Sequence, residues 1–311
     1  MLREKLKKGN FFESIYDNLE EKAKYKNPEI RGKHRQVIGM KRRMQYYKRL
    51  KKEIYIPITT SMPEKDKEEK GKEGRNVWFC WLQGIEQAPD IVKACYRSVE
   101  KYVCGSGEWN LVVITEKNLG EYIQLPEYIM DKYKKGIISP ACFSDLIRLE
   151  LLIRYGGLWT DSTVFWTGSR LLENFKETEL FLPDKWIFFN GEIMQYDNWM
   201  IYAKSNQYNL KVVQKCLYQY WEKYDFCIDY FIFHLFMTMT MQDSKDKKME
   251  MPYLCVHSCE FLQMHFYEKI NQNVLNSILK TTDIHKLNYK DRPKKDITGT
   301  YYEWITQNCL N

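Results

Sequence analysis

The sequence predicts an α/β fold with a largely parallel sheet, a looser α+β portion behind it and a helical arm in front. Three observations carry this. Apolar runs of strand length alternate with stretches of helical spacing from residue 75 to residue 165. A glycine pair, Gly156-Gly157, divides the most apolar helix from a strand that carries an acid. The chain is 311 residues long, enough for one full core, and its charge is unevenly divided between an arm and a body.

Taken in order, residues 35–52 place Val37, Met40, Met44, Tyr47 and Lys51 near helical spacing, with lysines and arginines on the other faces. This reads as a basic amphipathic helix, able to lie on a membrane or to pack on the body. Residues 61–74 are charged and hold Pro63, Gly71 and Gly74, the marks of a linker or exposed loop. The chain therefore divides into a helical arm over 1–60, a linker over 61–74 and a folded body over 75–311. In the body, VWFCWL (77–82) is a buried strand, and residues 89–103 a helix with Ile91, Cys95, Val99 and Val103 on one stripe. LVVIT (111–115) is a strand, and residues 117–135 hold short helices interrupted by Pro126. Residues 139–155 are a helix and 158–165 a strand. Beyond residue 170, WIFFN (186–190) and NWMIYAK (198–204) read as strands, and 207–224 and 228–242 as helices.

The segment SPACFSDLIRLELLIRYGGLWTDST (139–163) carries the chemistry. Ser139 is suited to cap its helix and Pro140 to the first helical position. Asp145 and Arg148 lie three residues apart among leucines and isoleucines, so they meet on one face. Charges in such a helix are paired or used. A structural ion pair and a site for a charged ligand are both open readings. The glycine pair permits left-handed geometry and close approach of backbone to a ligand. In the strand beyond it, alternation puts Trp159, Asp161 and Thr163 on one face. Asp161 then emerges near the carboxyl end of a strand, where open α/β sheets bind ligands.

The pattern Ser144, Asp145, Arg148, Leu152, Tyr155, Gly156, Gly157, Trp159, Asp161 closely resembles the donor site of the bacterial capsular polysaccharide synthesis proteins related to glycosyltransferase family 32. VWFCWLQGIEQAPDIVKAC, IDYFIFH (228–234), MPYLCVHSCEFLQ (251–263) and KLNYK (286–290) resemble further blocks of that family in the same order. The resemblance spans most of 75–305 and implies a GT-A type, Rossmann-like nucleotide-sugar-binding domain. It implies that Asp145 and Arg148 hold the donor sugar and that Asp161 serves the ribose and a divalent cation, Mn²⁺ or Mg²⁺. Trp78 or Trp81 would stack on the base, and Gln83, Ser144, Tyr155, Gly156, Gly157, Trp159, Thr163 and His234 complete the donor-binding set. Family 32 enzymes retain anomeric configuration. If this chain inverts, Asp229 is the first candidate for the base, and helix-capping is its structural alternative. The usual D-x-D is here Asp161-Ser162-Thr163, and threonine is a weaker metal ligand than aspartate. His257 is the candidate extra ligand, with an ordinary surface or core histidine as the alternative. Cys255-x-His257-x-Cys259 has no second ligand pair for a zinc site.

Composition bounds the rest. Residues 1–52 carry 17 Lys+Arg against 6 Asp+Glu, a net of +11, while the remainder has 31 against 35, a net of −4. Such an arm can meet anionic lipid, and a lipid-linked glycan acceptor at the inner leaflet would suit it. A basic nucleic-acid-binding protein has only the arm in its favour, since the body is acidic and holds no nucleic-acid motif, so no nucleic-acid partner is expected. A glycosyltransferase-like scaffold without activity is the third reading. No apolar run approaches the roughly 18 residues of a membrane span, and no secretory signal is read at the N-terminus. Nine cysteines without paired spacing fit reduced thiols and a cytoplasmic chain.

Overall fold

Alternation along the strands decides the layering. In β1 (Asn76–Cys80), Trp78 faces one apolar cluster while Val77 and Phe79 face another. β3 (Gly157–Thr160) and β6 (Met200–Ala203) do the same. Trp159, Ile201 and Ala203 join Trp78, and Leu158, Met200 and Tyr202 join Val77. A sheet apolar on both faces needs cover on both, so helices lie on each side of it. This computed structural model describes residues 28–63, 71–175, 178–184, 193–243, 256–290 and 296–307, with 15, 18, 19, 22 and 254.

The five-stranded sheet has the order β2-β1-β3-β6-β5, where β2 is Asn110–Ile114 and β5 is Leu180–Phe181. β1 runs parallel to both β2 and β3, with Trp78 beside Val112 on one side and Trp159 on the other. β6 runs antiparallel to β3 and to β5. The α/β class expected from sequence holds, but the sheet is mixed rather than largely parallel. A parallel return needs a long crossover, usually a helix. Between Thr160 and Met200 the described residues hold no α-helix, only β4 (Val164–Trp166), β5 and a 3₁₀ turn, Arg170–Phe175.

The first side of the sheet is covered by α6 (Pro140–Tyr155), α7 (Tyr208–Lys223) and α8 (Ile232–Asp243). The second is covered by α3 (Asp90–Ser98), α9 (Val256–Met264), α10 (Gln272–Thr281) and α11 (Tyr301–Gln307). The short helices α4 (Leu119–Tyr122) and α5 (Glu127–Lys134) flank Pro126 as expected. The strand read over 158–165 is two strands. β3 ends at Thr160, a turn follows, and β4 (Val164–Trp166) pairs instead with β7 (Ile284–Lys286) in a small second sheet. The strand expected at 186–190 lies outside the described residues.

The arm is not separate over its described second half. α1 (Pro28–Leu50) passes through one π-helical turn, Lys51–Tyr55, into α2 (Ile56–Ser61). Tyr46, Tyr47, Leu50, Ile54, Tyr55 and Met62 are buried in the same core as α6–α8. Tyr47 donates to Gln242 Oε1 at 2.8 Å, and Arg43 pairs with Asp229 at 3.0 Å while lying over the Phe231 ring. Of the face read over 35–52, Met44 and Tyr47 meet the body, while Val37 stays 43% exposed. Beyond the undescribed part of the linker, Lys72 and Ser205 exchange hydrogen bonds of 2.9 Å, which fixes the chain entering β1. No helix of the described residues is long and apolar enough to cross a membrane.

Candidate functional site

A cleft of about 740 Å³ opens at the carboxyl ends of β1 and β3. Its floor is built by α6. The Ser139 side chain accepts from Cys142 N–H and Pro140 takes the first turn, which starts the helix so that Ser144, Asp145 and Arg148 face the cleft. The helix ends at Gly156 (φ +68°), and Gly157 (φ +100°) begins β3. A Cβ on Gly157 would stand 2.3 Å from the Asn76 carbonyl oxygen, so β3 can lie against β1 only with glycine there. Two residues into β3 comes Trp159, and Asp161 follows just past its end, both lining the cleft.

Arg148 is the hub. Its side chain is 5% exposed, and its guanidinium lies 3.3 Å from Asp145 and 3.4 Å from Asp161. It also donates to the Ser144 hydroxyl and to the Asn198 carbonyl, and it stacks over the Trp159 ring. One cation so buried and so fully engaged positions two carboxylates. These differ sharply. Asp161 keeps 25% of its side chain exposed and accepts from the Trp159 indole N–H at 2.9 Å. Asp145 is buried and accepts from Asn198 Nδ2 at 2.7 Å. Burial pushes its carboxyl up to about 7, against the opposing pull of Arg148 and with a further push from Asp161.

β7 brings the other side of the site. Its pairing with β4 sets Lys286 opposite Val164. Lys286 Nζ then donates to Thr163 Oγ1 at 2.5 Å and lies 3.5 Å from Asp161 Oδ2. Around the rim, Trp81 meets Tyr289 edge to face with ring centroids 5.3 Å apart. The Trp81 indole nitrogen is buried without a hydrogen-bond partner among the described residues. Glu260 and Gln263 of α9 complete that wall.

The profile of the capsular polysaccharide synthesis protein family matches residues 26–305. The chain belongs to that family. The match starts just before α1, in keeping with an arm whose second half is packed into the body. Among solved structures, the chain is similar to the PaToxG glycosyltransferase at 12% identity, over 85% of this chain and 88% of that one, with a TM-score of 0.37. That likeness is remote and carries no residue of the site across. No curated protein matches.

In this family member the cleft gathers Trp81, Gln83, Ser144, Asp145, Arg148, Trp159, Asp161, Thr163 and His234. Several expected residues lie elsewhere. Trp78 is wholly buried, donates its indole N–H to the Gly156 carbonyl at 2.9 Å and packs on Tyr155, so it is core, and of the two candidates it is Trp81 that lines the cleft. Tyr155, Gly156 and Gly157 sit at the amino end of β3, one strand length of roughly 13 Å from the cleft. The glycines admit neighbouring backbone rather than a ligand. Asp229 faces a second hollow of about 370 Å³, paired with Arg43 and accepting from Phe231 N–H at 2.8 Å. Asp229 thus closes a turn just ahead of α8 and is not among the residues lining the cleft. His257 is exposed on α9, outside the cleft lining. Asn198, Lys286 and Tyr289 carried no assigned role from sequence. KLNYK stood out only as a block, and nothing in NWMIYAK marked its first residue.

The donor set around Asp161 does not suit Mn²⁺ or Mg²⁺. These cations take oxygen ligands, commonly one or two carboxylates together with water and substrate phosphates, so what counts here is whether the Asp161 oxygens are open. Asp161 Oδ1 already receives Trp159 and Arg148, Oδ2 faces Lys286, and Thr163 Oγ1 receives Lys286. Among the described residues no three His, Cys, Asp or Glu side chains cluster to hold a metal.

Proposed function

We propose that this protein is a GT-A type glycosyltransferase that moves a hexose from a nucleotide sugar, a UDP-sugar by preference, onto a growing capsular or other cell-surface polysaccharide, with retention. The family membership supports the class of product. The observation that carries the reaction is Asp161. It is a half-open carboxylate held by Arg148 and Trp159 at the carboxyl end of β3, in a cleft large enough for a sugar nucleotide.

In this reading Asp161 accepts from a hydroxyl of the donor, and the unpartnered Trp81 N–H and the Tyr289 ring receive the base. Arg148 is a positioning residue, since its donors are already engaged. Asp145, whose carboxyl burial pushes upward, is placed to exchange a hydrogen bond with a sugar hydroxyl. The acceptor is a lipid-linked glycan. Exposed lysines of α1 such as Lys41 and Lys48 hold the protein near anionic lipid, since the opposite face is packed on the body.

The test is release of nucleotide from a panel of nucleotide sugars, with Mn²⁺ and Mg²⁺ supplied and acceptor extracts present. Turnover with one donor, reduced at least a hundredfold in Asp161→Asn, is expected. No turnover with any donor, or undiminished turnover in Asp161→Asn, overturns the reading. Nucleotide binding without transfer would make the chain a scaffold.

A further inference from the structure

The Asp-Ser-Thr turn has a cation already built against it. Lys286 reaches Thr163 Oγ1 at 2.5 Å and Asp161 Oδ2 at 3.5 Å, with its side chain 22% exposed and facing the cleft. Thr163 stands where a second acidic ligand would be expected, and the Lys286 ammonium lies between it and Asp161. Replacing an aspartate by threonine removes the charge that would compete for that ammonium. The position of Lys286 is fixed on both sides. Val164 and Lys286 are paired across β4 and β7, and Leu287 N–H donates to the Thr163 carbonyl at 2.8 Å. A loose surface lysine has no such backbone register. Arg148 behind Asp161 supplies a second cation to the same carboxylate, so Lys286 is not needed to neutralise it.

On the reading that the cleft holds a nucleotide sugar, we infer that Lys286 is a catalytic residue that binds the diphosphate of the donor and stands in for a divalent metal ion. In the transfer step the bond from the anomeric carbon to the diphosphate oxygen breaks, and its electron pair leaves with the diphosphate. The acceptor oxygen bonds to the anomeric carbon and its proton is released to solvent. Charge grows on the departing oxygen, and the Lys286 ammonium stabilises it by a charge-assisted hydrogen bond. A lysine serves phosphate as a point charge, and the partly exposed Nζ can turn from Thr163 to the incoming oxygen without rebuilding the site. The chain would then work without added metal.

The experiment uses the full chain, freed of metal with EDTA. Pyrophosphate and UDP are titrated by calorimetry into wild type, Lys286→Met, Lys286→Arg and Asp161→Asn, with melting temperatures recorded for each. Binding by wild type in EDTA is expected, weakened at least tenfold in Lys286→Met and partly restored in Lys286→Arg. Asp161→Asn should bind pyrophosphate as well as wild type or better, because a repelling carboxylate is gone. Nucleotide release by wild type should change less than twofold between EDTA and Mn²⁺. Binding or turnover that needs Mn²⁺ and is lost in Asp161→Asn, with Lys286→Met unaffected, overturns the assignment and leaves the transferase reading intact. Failure to bind pyrophosphate or UDP with or without metal overturns both. A Lys286→Met protein whose melting temperature collapses is replaced by Lys286→Gln, which keeps a donor to Thr163 without the charge. Unweakened pyrophosphate binding in that variant overturns the assignment.

Discussion

Asp145→Asn separates a carboxyl held for use from one held for structure. The Asp145 carboxyl moves from an ordinary 3.8 to about 7 on folding, with burial as the largest cause. The folded state therefore binds its proton more tightly than the unfolded chain does. Stability from this group is complete below pH 3.8, falls as pH rises between the two values, and is fully lost above pH 7. At ~1.4 kcal/mol per pH unit, the loss is about 4 kcal/mol at pH 8 and about 2 kcal/mol at pH 5. Asparagine stays neutral throughout and keeps an oxygen for Asn198 Nδ2. Any constant cost of the exchange is the same at both pH values. The stability of Asp145→Asn relative to wild type should thus be more favourable at pH 8 than at pH 5 by about 2–3 kcal/mol. Urea unfolding of both proteins at the two pH values measures this. An equal loss of stability at pH 5 and pH 8 would refute the reasoning. Asp145 would then be ionised throughout, and its partnership with Arg148 would be the structural ion pair that the sequence left open.

Three more outcomes follow from the geometry. Trp81→Ala should weaken UDP binding at least tenfold and cost clearly less stability than the wholly buried Trp78→Ala, which should lose ~3–5 kcal/mol, both read by urea unfolding and calorimetry. Gly157→Ala places a Cβ 2.3 Å from the Asn76 carbonyl at a φ of +100°, and the loss should reach at least ~3 kcal/mol or abolish soluble expression. Arg43→Ala leaves the buried Asp229 carboxylate unpaired and should cost about 3 kcal/mol, partly recovered in Arg43→Ala with Asp229→Asn, while donor binding stays within twofold of wild type.

Local signals were legible in the sequence where one element determines its own form. Ser139, Pro140 and the glycine pair bound α6 because capping and positive φ are decided within a few residues. Asp145, Arg148 and Asp161 were found because charges in an apolar helix, and an acid after a strand, stand out against their neighbours. Trp78 and Trp81 could not be told apart in VWFCWL, since both are large and apolar. Only the end of β1 at Cys80 decides which one leaves the core. The glycine pair was assigned to ligand contact because φ and crowding look alike from sequence, whichever backbone comes near. Arg43 with Asp229, 186 residues apart, and Asn198 with Asp145, 53 apart, are products of packing that no local pattern announces.

The break at Asp161 shows why the site needed the whole fold. Read as one strand, residues 158–165 would have continued in the main sheet, with Asp161 and Thr163 merely alternate residues on one of its faces. Instead Val164 N–H turns back to the Asp161 carbonyl at 2.9 Å, and Asp161 N–H is held by the Trp199 carbonyl at 2.8 Å. The chain leaves the sheet at that point and pairs with β7, more than 100 residues further on. Two consequences come from one turn. Asp161 is exposed at a strand end instead of being buried between neighbours, and Lys286 is drawn to Thr163. Had the strand run on, neither the open carboxylate nor the facing ammonium would exist. The Asp-Ser-Thr sequence is thus a turn that brings a lysine from a distant strand against Asp161 and Thr163.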